Sequence, residues 1–117
     1  TVALADSTGS SDVASVKLTA SSAATFNGVS VAGVETINIE SDDTSATPNA
    51  DVHIISTLTA PQVKTLKITG DAGLTISSGT GATALSLLDA SGMTRAASAA
   101  SGTVTYSGLV WSSNINI

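Results

Sequence analysis

Two ten-residue runs decide how this chain reads: VETINIESDD from Val34 to Asp43 and VKTLKITGDA from Val63 to Ala72. Each places apolar residues at i, i+3 and i+5, first as Val34, Ile37 and Ile39, then as Val63, Leu66 and Ile68. The last two of each triplet flank a polar residue, and such alternation marks a strand with one buried face. The triplet can be traced again as Val13, Val16 and Leu18 and as Ala82, Leu85 and Leu87, with the pair Val104 and Tyr106 extending it. Its middle members, at 16, 37, 66, 85 and 104, are separated by 21, 29, 19 and 19 residues. Stacked coils of a solenoid produce recurrence in this range.

A second strand follows in most units, as Val52-His53-Ile54, Leu74-Thr75-Ile76 and Leu109-Val110-Trp111, with Phe26 and Met93 in comparable places elsewhere. In this reading Val52 and Ile54 are buried and His53 faces solvent. Helix is a poor reading, because TLKITGDAGLTISSGTG combines β-branched residues with closely spaced glycines. One helical turn is expected, over 95–100, bounded by Gly92 and Gly102. The expected fold is therefore all-β, a parallel β-solenoid of short strands, with an antiparallel β-sandwich as the alternative. Recurrence of like residues favours the coil, since equivalent strands stack and form ladders. The longest unit holds the extra run SDDTSATPNAD, Ser41 to Asp51, which should protrude as a loop.

At 117 residues the chain suits a single β-repeat domain spanning 1–117. Ser and Thr supply 36 residues and Ala 18, while aromatics are 3%, so the core must close over short distances with Val, Ile, Leu and Ala. The formal charge is −5 and the only cations are Lys17, Lys64, Lys67 and Arg95, too few and too scattered for nucleic acid. Without cysteine there is neither a disulfide nor a thiol nucleophile. No apolar window approaches the ~18 residues of a membrane span, so membrane insertion is not expected. The opening TVALADSTGSS lacks the charged and apolar regions of a signal peptide and has no initiator Met, as expected of a segment excised from a larger exported protein.

Oxygen donors are densest at Glu40, Asp42, Asp43, Asn49 and Asp51, four carboxylates and an amide within twelve residues. Calcium takes six to eight oxygens from such groups, which makes these five its candidate ligands; the same residues also suit a solvated turn. Catalysis has less support, because His53 is the only histidine and no G-x-S-x-G elbow accompanies it. Trp111 and Tyr106 could stack on a sugar, or close an end of the core. No enzymatic activity is expected.

The string VSVAGVETINIESDDT, followed by TLTAPQVKTLKITGDAGLTISSGTGATALSLLDASGMT, resembles a stretch of surface-layer proteins of Gram-negative, especially alphaproteobacterial, bacteria. Phrases of the form AGVETxNI, KxxxxTGNAGLxxT and SFDAS occur there in the same order, and the similarity runs from about Thr1 to Thr94. The resemblance implies a secreted RTX-type protein that self-assembles into a lattice on the cell surface, with calcium-dependent folding and type I export. The glycine- and aspartate-rich nonapeptides GGxGxDxxx of that family do not occur in this chain. The expectation is thus an extracellular structural segment that associates with copies of itself, assisted by calcium. The alternative is a spacer or a carbohydrate-binding module of a secreted adhesin or enzyme, with cell-surface polysaccharide as partner.

Overall fold

The computed structural model describes residues 2–3, 9–45, 51–80, 85–93 and 104–106. Among these residues twelve strands follow in chain order: β1 (Val2–Ala3), β2 (Val13–Ala20), β3 (Thr25–Phe26), β4 (Val29–Ala32), β5 (Thr36–Asp43) and β6 (Val52–Ile55) make the first half. The second half is β7 (Leu58–Thr59), β8 (Thr65–Gly70), β9 (Gly73–Ile76), β10 (Gly79–Thr80), β11 (Leu87–Met93) and β12 (Val104–Tyr106). They form three four-stranded sheets, ordered β1-β4-β7-β10, β2-β5-β8-β11 and β3-β6-β9-β12, so the chain visits the sheets in strict rotation. Every described pairing is parallel, which fits the β-solenoid and excludes the antiparallel sandwich. No helix occurs among the described residues, and the turn expected over 95–100 lies outside them.

The coils are joined at one corner by a repeated hydrogen bond. The Asp12 carbonyl accepts the amides of Glu35 and Thr36 at 3.2 and 3.0 Å, and the Glu35 carbonyl accepts those of Lys64 and Thr65 at 2.8 and 3.0 Å. The Lys64 carbonyl does the same for Ser86 and Leu87, at 2.9 and 3.1 Å. This fixes the register of the long sheet, in which Ala14, Ile37, Leu66 and Leu88 lie side by side. Val16, Ile39 and Ile68 form the next row. The spacings along the first row are therefore 23, 29 and 22 residues.

This register corrects the sequence alignment at both ends. In β2 the hydrophobic alternation has the right phase but falls two residues late, because small Ala14, not Val16, is the partner of Ile37. In the fourth coil Leu85 is a fully buried corner residue placed two before Leu87, as Val34 and Val63 are placed before Thr36 and Thr65. Leu88 enters the core there, while Leu87 sits partly exposed on the outer side. Val104 and Tyr106 do not extend this sheet at all; they pair with Leu74 and Ile76 in another.

Aliphatic side chains fill the interior: Ile37, Ile39, Ile55, Leu58, Leu66, Ile68, Leu74, Ile76 and Leu85 are all fully buried. Side chains this short suit a core only one coil wide, in which each layer packs on the layers above and below. The extra run of the long coil begins later than expected, since Ser41, Asp42 and Asp43 still belong to β5.

Gly70 ends β8 with φ of +114°, a conformation that favours glycine. A Cβ at this position would overlap the Ser41 carbonyl oxygen of the paired strand and lie 2.6 Å from its carbonyl carbon. Gly70 thereby lets the chain turn so that the Ala72 amide reaches the Ser41 carbonyl at 3.1 Å. Gly70→Ala is expected to lower the unfolding free energy by about 2–4 kcal/mol, from the positive φ and the overlap together, as measured by urea denaturation.

Candidate functional site

The expected calcium donors fall on two faces. Along β5 burial alternates strictly, so Glu40 and Asp42 lie on the outer side while Ser41 and Asp43 turn inward. The outer pair is already engaged: Lys17 Nζ lies 2.9 Å from Glu40 Oε1 and 3.1 Å from Asp42 Oδ2. The hydrogen bond to Glu40, then that to Asp42, holds the Lys17 ammonium above its ordinary pKa of 10.5. A cation binding at these two carboxylates must compete with that ammonium.

Asp43 is nearly buried and organises backbone. Its Oδ1 accepts the Ser45 amide at 2.8 Å, and its own amide donates to Asp71 Oδ1 at 2.8 Å. Asp51 accepts the Gly73 amide through its carbonyl at 3.1 Å and has a buried Oδ2 without a hydrogen-bond partner among the described residues. Asn49 and Trp111 lie outside the described residues, and Tyr106 is described only as part of β12. Among the described residues no three His, Cys, Asp or Glu side chains stand together as a metal-holding group.

On the outer face of the long sheet opposite charges neighbour each other in two rows. Lys17 meets Glu40, and Lys67 is in register with Asp89. Asp89 Oδ1 accepts the Ser91 hydroxyl at 2.6 Å and the Ser91 amide at 3.0 Å. These hydrogen bonds, with a smaller contribution from Lys67, hold the Asp89 carboxyl below its ordinary value of 3.8. Its contribution to stability is therefore present above that value and is lost as pH falls through the lower folded-state one.

His53 does not face solvent. It is fully buried and pairs in register with Leu74, while Ile55 pairs with Ile76, so the inward residues of β6 are His53 and Ile55. Burial of Val52 and Ile54, as the alternation suggests, is off by one residue, and in a strand that reverses every side chain. Ile54 and Ile55 are both apolar, so β6 alone does not reveal its phase; aligning Ile55 with Ile76 reveals it.

A polar knot results where β5, β6 and β9 meet. The fully buried Ser41 hydroxyl donates to the Gly73 carbonyl at 3.2 Å and lies 3.0 Å from His53 Nδ1. The hydroxyl thus bridges the Gly73 carbonyl and the imidazole with one proton of its own. Nε2 is buried and without a partner in the described residues. Phe26 stands edge-on to the ring at 5.8 Å between centroids. A serine bonded to a histidine has the composition of a catalytic nucleophile and its base, and here both groups are at 0% exposure. The pair ties the end of β5 to β6 and to the turn opening β9. The sequence conceals it, because Ser41 reads as part of a loop and His53 as a surface residue.

No family model matches the chain, and neither a curated protein nor a solved structure matches it.

Two measurements follow from this geometry. Ser41→Ala strands His53 Nδ1 and the Gly73 carbonyl in the core and is expected to cost about 1–3 kcal/mol, whereas adding His53→Leu restores much of the loss. Equilibrium denaturation of the single and double variants reads that coupling. Separately, Ser91→Ala should move the Asp89 titration up toward its ordinary range, followed by carboxyl-carbon NMR.

Proposed function

We propose that this chain is a structural segment of a secreted bacterial surface-layer or RTX-type cell-surface protein, acting extracellularly by self-association with the assistance of calcium. One observation carries the reading. Each of the three sheets ends, among the described residues, in strands paired on one side only, with β2 and β11 the longest of them. Unpaired strand edges are templates for joining another chain. The sequence resemblance supplies the cellular setting and the calcium.

The polar groups brought together support the same reading. The outer face carries two rows with an opposite-charge pair each, which suits a contact surface, and the buried Ser41 and His53 serve the scaffold. Calcium enters as an ion that strengthens association, with the acidic run from Glu40 to Asp51 as its candidate contact.

Sedimentation velocity and electron microscopy, with and without calcium, test the proposal. Concentration-dependent oligomers or ordered sheets that increase with calcium are expected, and Asp42→Asn with Asp43→Asn should blunt the calcium response. A monomer at every concentration, indifferent to calcium and able to bind glycans, would overturn it.

A further inference from the structure

We infer that copies of this chain associate end to end, the free edge of β2 in one copy pairing in parallel with the free edge of β11 in the next. The inference rests on the self-association proposed above and gives it a direction and a register. Among the described residues, β2 and β11 are the two ends of the sheet ordered β2-β5-β8-β11, each paired on one side only.

Backbone phase makes the two edges complementary. In a parallel ladder a residue directs both its N–H and its C=O toward the same neighbour, and successive residues alternate sides. The carbonyls of Asp12 and Ala20 bond into the second coil, to the amides of Glu35 and Thr36 and of Thr44. Even-numbered residues of β2 thus face β5, leaving the groups of Val13, Ser15, Lys17 and Thr19 for the open edge. At the other end the Leu87 amide bonds back to the Lys64 carbonyl, so Leu87 faces β8 and Leu88 faces outward along the sheet. Continuing the register by one strand places Val13 of the next copy beside Leu87, in the phase that joins β2 to β5.

Side chains on the outer face agree with this junction. One row across the sheet reads Val13, Thr36, Thr65, Leu87, with threonine in the two inner strands and an apolar residue at each end. Val13, 56% exposed, is the one large apolar side chain left exposed among the described residues, and Leu87 is partly exposed. End-to-end pairing brings these two together and covers both. The neighbouring row reads Ser15, Asn38, Lys67, Asp89, which places the Asp89 carboxylate of one copy against Ser15 of the next and two residues from its Lys17. That lysine is held by Glu40 and Asp42 of its own copy, so the junction gains Asp89 beside the Ser15 hydroxyl and no direct ion pair. In the interior row, Leu88 meets Ala14 of the next copy, a large residue against a small one. Such a contact uses different surfaces on the two partners, so it propagates into filaments instead of closing into a dimer.

Ser15→Pro separates the edge from the fold, because the Ser15 amide points to the open side and is not used in the ladder with β5. The full chain, the Ser15→Pro variant and a Val13→Glu variant are compared by sedimentation velocity and negative-stain electron microscopy, with far-ultraviolet circular dichroism to verify folding. The expected result is linear oligomers for the unmodified chain and association weakened about tenfold or more in both variants, with unchanged spectra. Oligomers that persist in both folded variants would overturn the end-to-end junction while leaving self-association standing. A chain that stays monomeric without any substitution would overturn both. Should Ser15→Pro fail to fold, Val13→Glu decides alone, since its position is exposed.

Discussion

The corner at which one carbonyl accepts two amides of the following coil holds this protein in register. Asp12, Glu35 and Lys64 repeat that bond, and each repetition sets the next strand beside the last with no freedom to slip. A one-residue slip would turn Ile37, Ile39, Leu66 and Ile68 out to solvent together, at a cost of about 1.5–3 kcal/mol for each side chain. Backbone and core therefore enforce the same arrangement: the hydrogen bonds specify the register and the aliphatic rows penalise any other.

The corner between the long sheet and the sheet of β6 and β9 is harder to build, and the polar residues of the interior gather there. Gly70 leaves room for the Ser41 carbonyl, the Ala72 amide takes that carbonyl, and the Ser41 hydroxyl joins Gly73 to His53. A buried hydroxyl and imidazole cost desolvation, which their mutual hydrogen bond offsets only in part, since Nε2 remains without a partner in the described residues. An apolar pair could fill the same space. What the polar pair adds is direction, because Nδ1 and the hydroxyl bond at one distance and one angle, and this distinguishes the turn from neighbouring alternatives.

The architecture is legible in the sequence because its signal is redundant. Val34, Ile37 and Ile39 and Val63, Leu66 and Ile68 reveal the strand, its phase and its recurrence in the two central coils, where large aliphatics mark the inward positions. Legibility falls where size or polarity breaks the pattern. Ala14 is too small to announce itself as the partner of Ile37, and the adjacent Leu87 and Leu88 offer two phases of which only pairing with Thr65 and Leu66 selects one. The candidate site is less legible for the same reason. Glu40, Asp42 and Asp43 look like one acidic cluster in the sequence, yet strand alternation sends Asp43 to the opposite face, and Lys17 is brought to Glu40 and Asp42 from a residue separation of 23 to Glu40. His53 reads as a surface residue until its partner strand is known.

Register is the claim on which the rest stands, and paired cysteines measure it directly in a chain that has none of its own. Ser15→Cys with Asn38→Cys places the two thiols on residues that are direct neighbours in the structure. Lys17→Cys with Asn38→Cys instead joins the residues that the hydrophobic periodicity alone would align. Adjacent parallel strands lie about 4.8 Å apart, within disulfide reach, whereas a displacement of two residues takes the Cα atoms to roughly 8 Å, beyond it. Under mild oxidation the first pair is expected to form an intramolecular disulfide quantitatively and the second to remain reduced. Efficient closure of the Lys17 pair, with the Ser15 pair left open, would contradict the register and the arrangement of the core built on it.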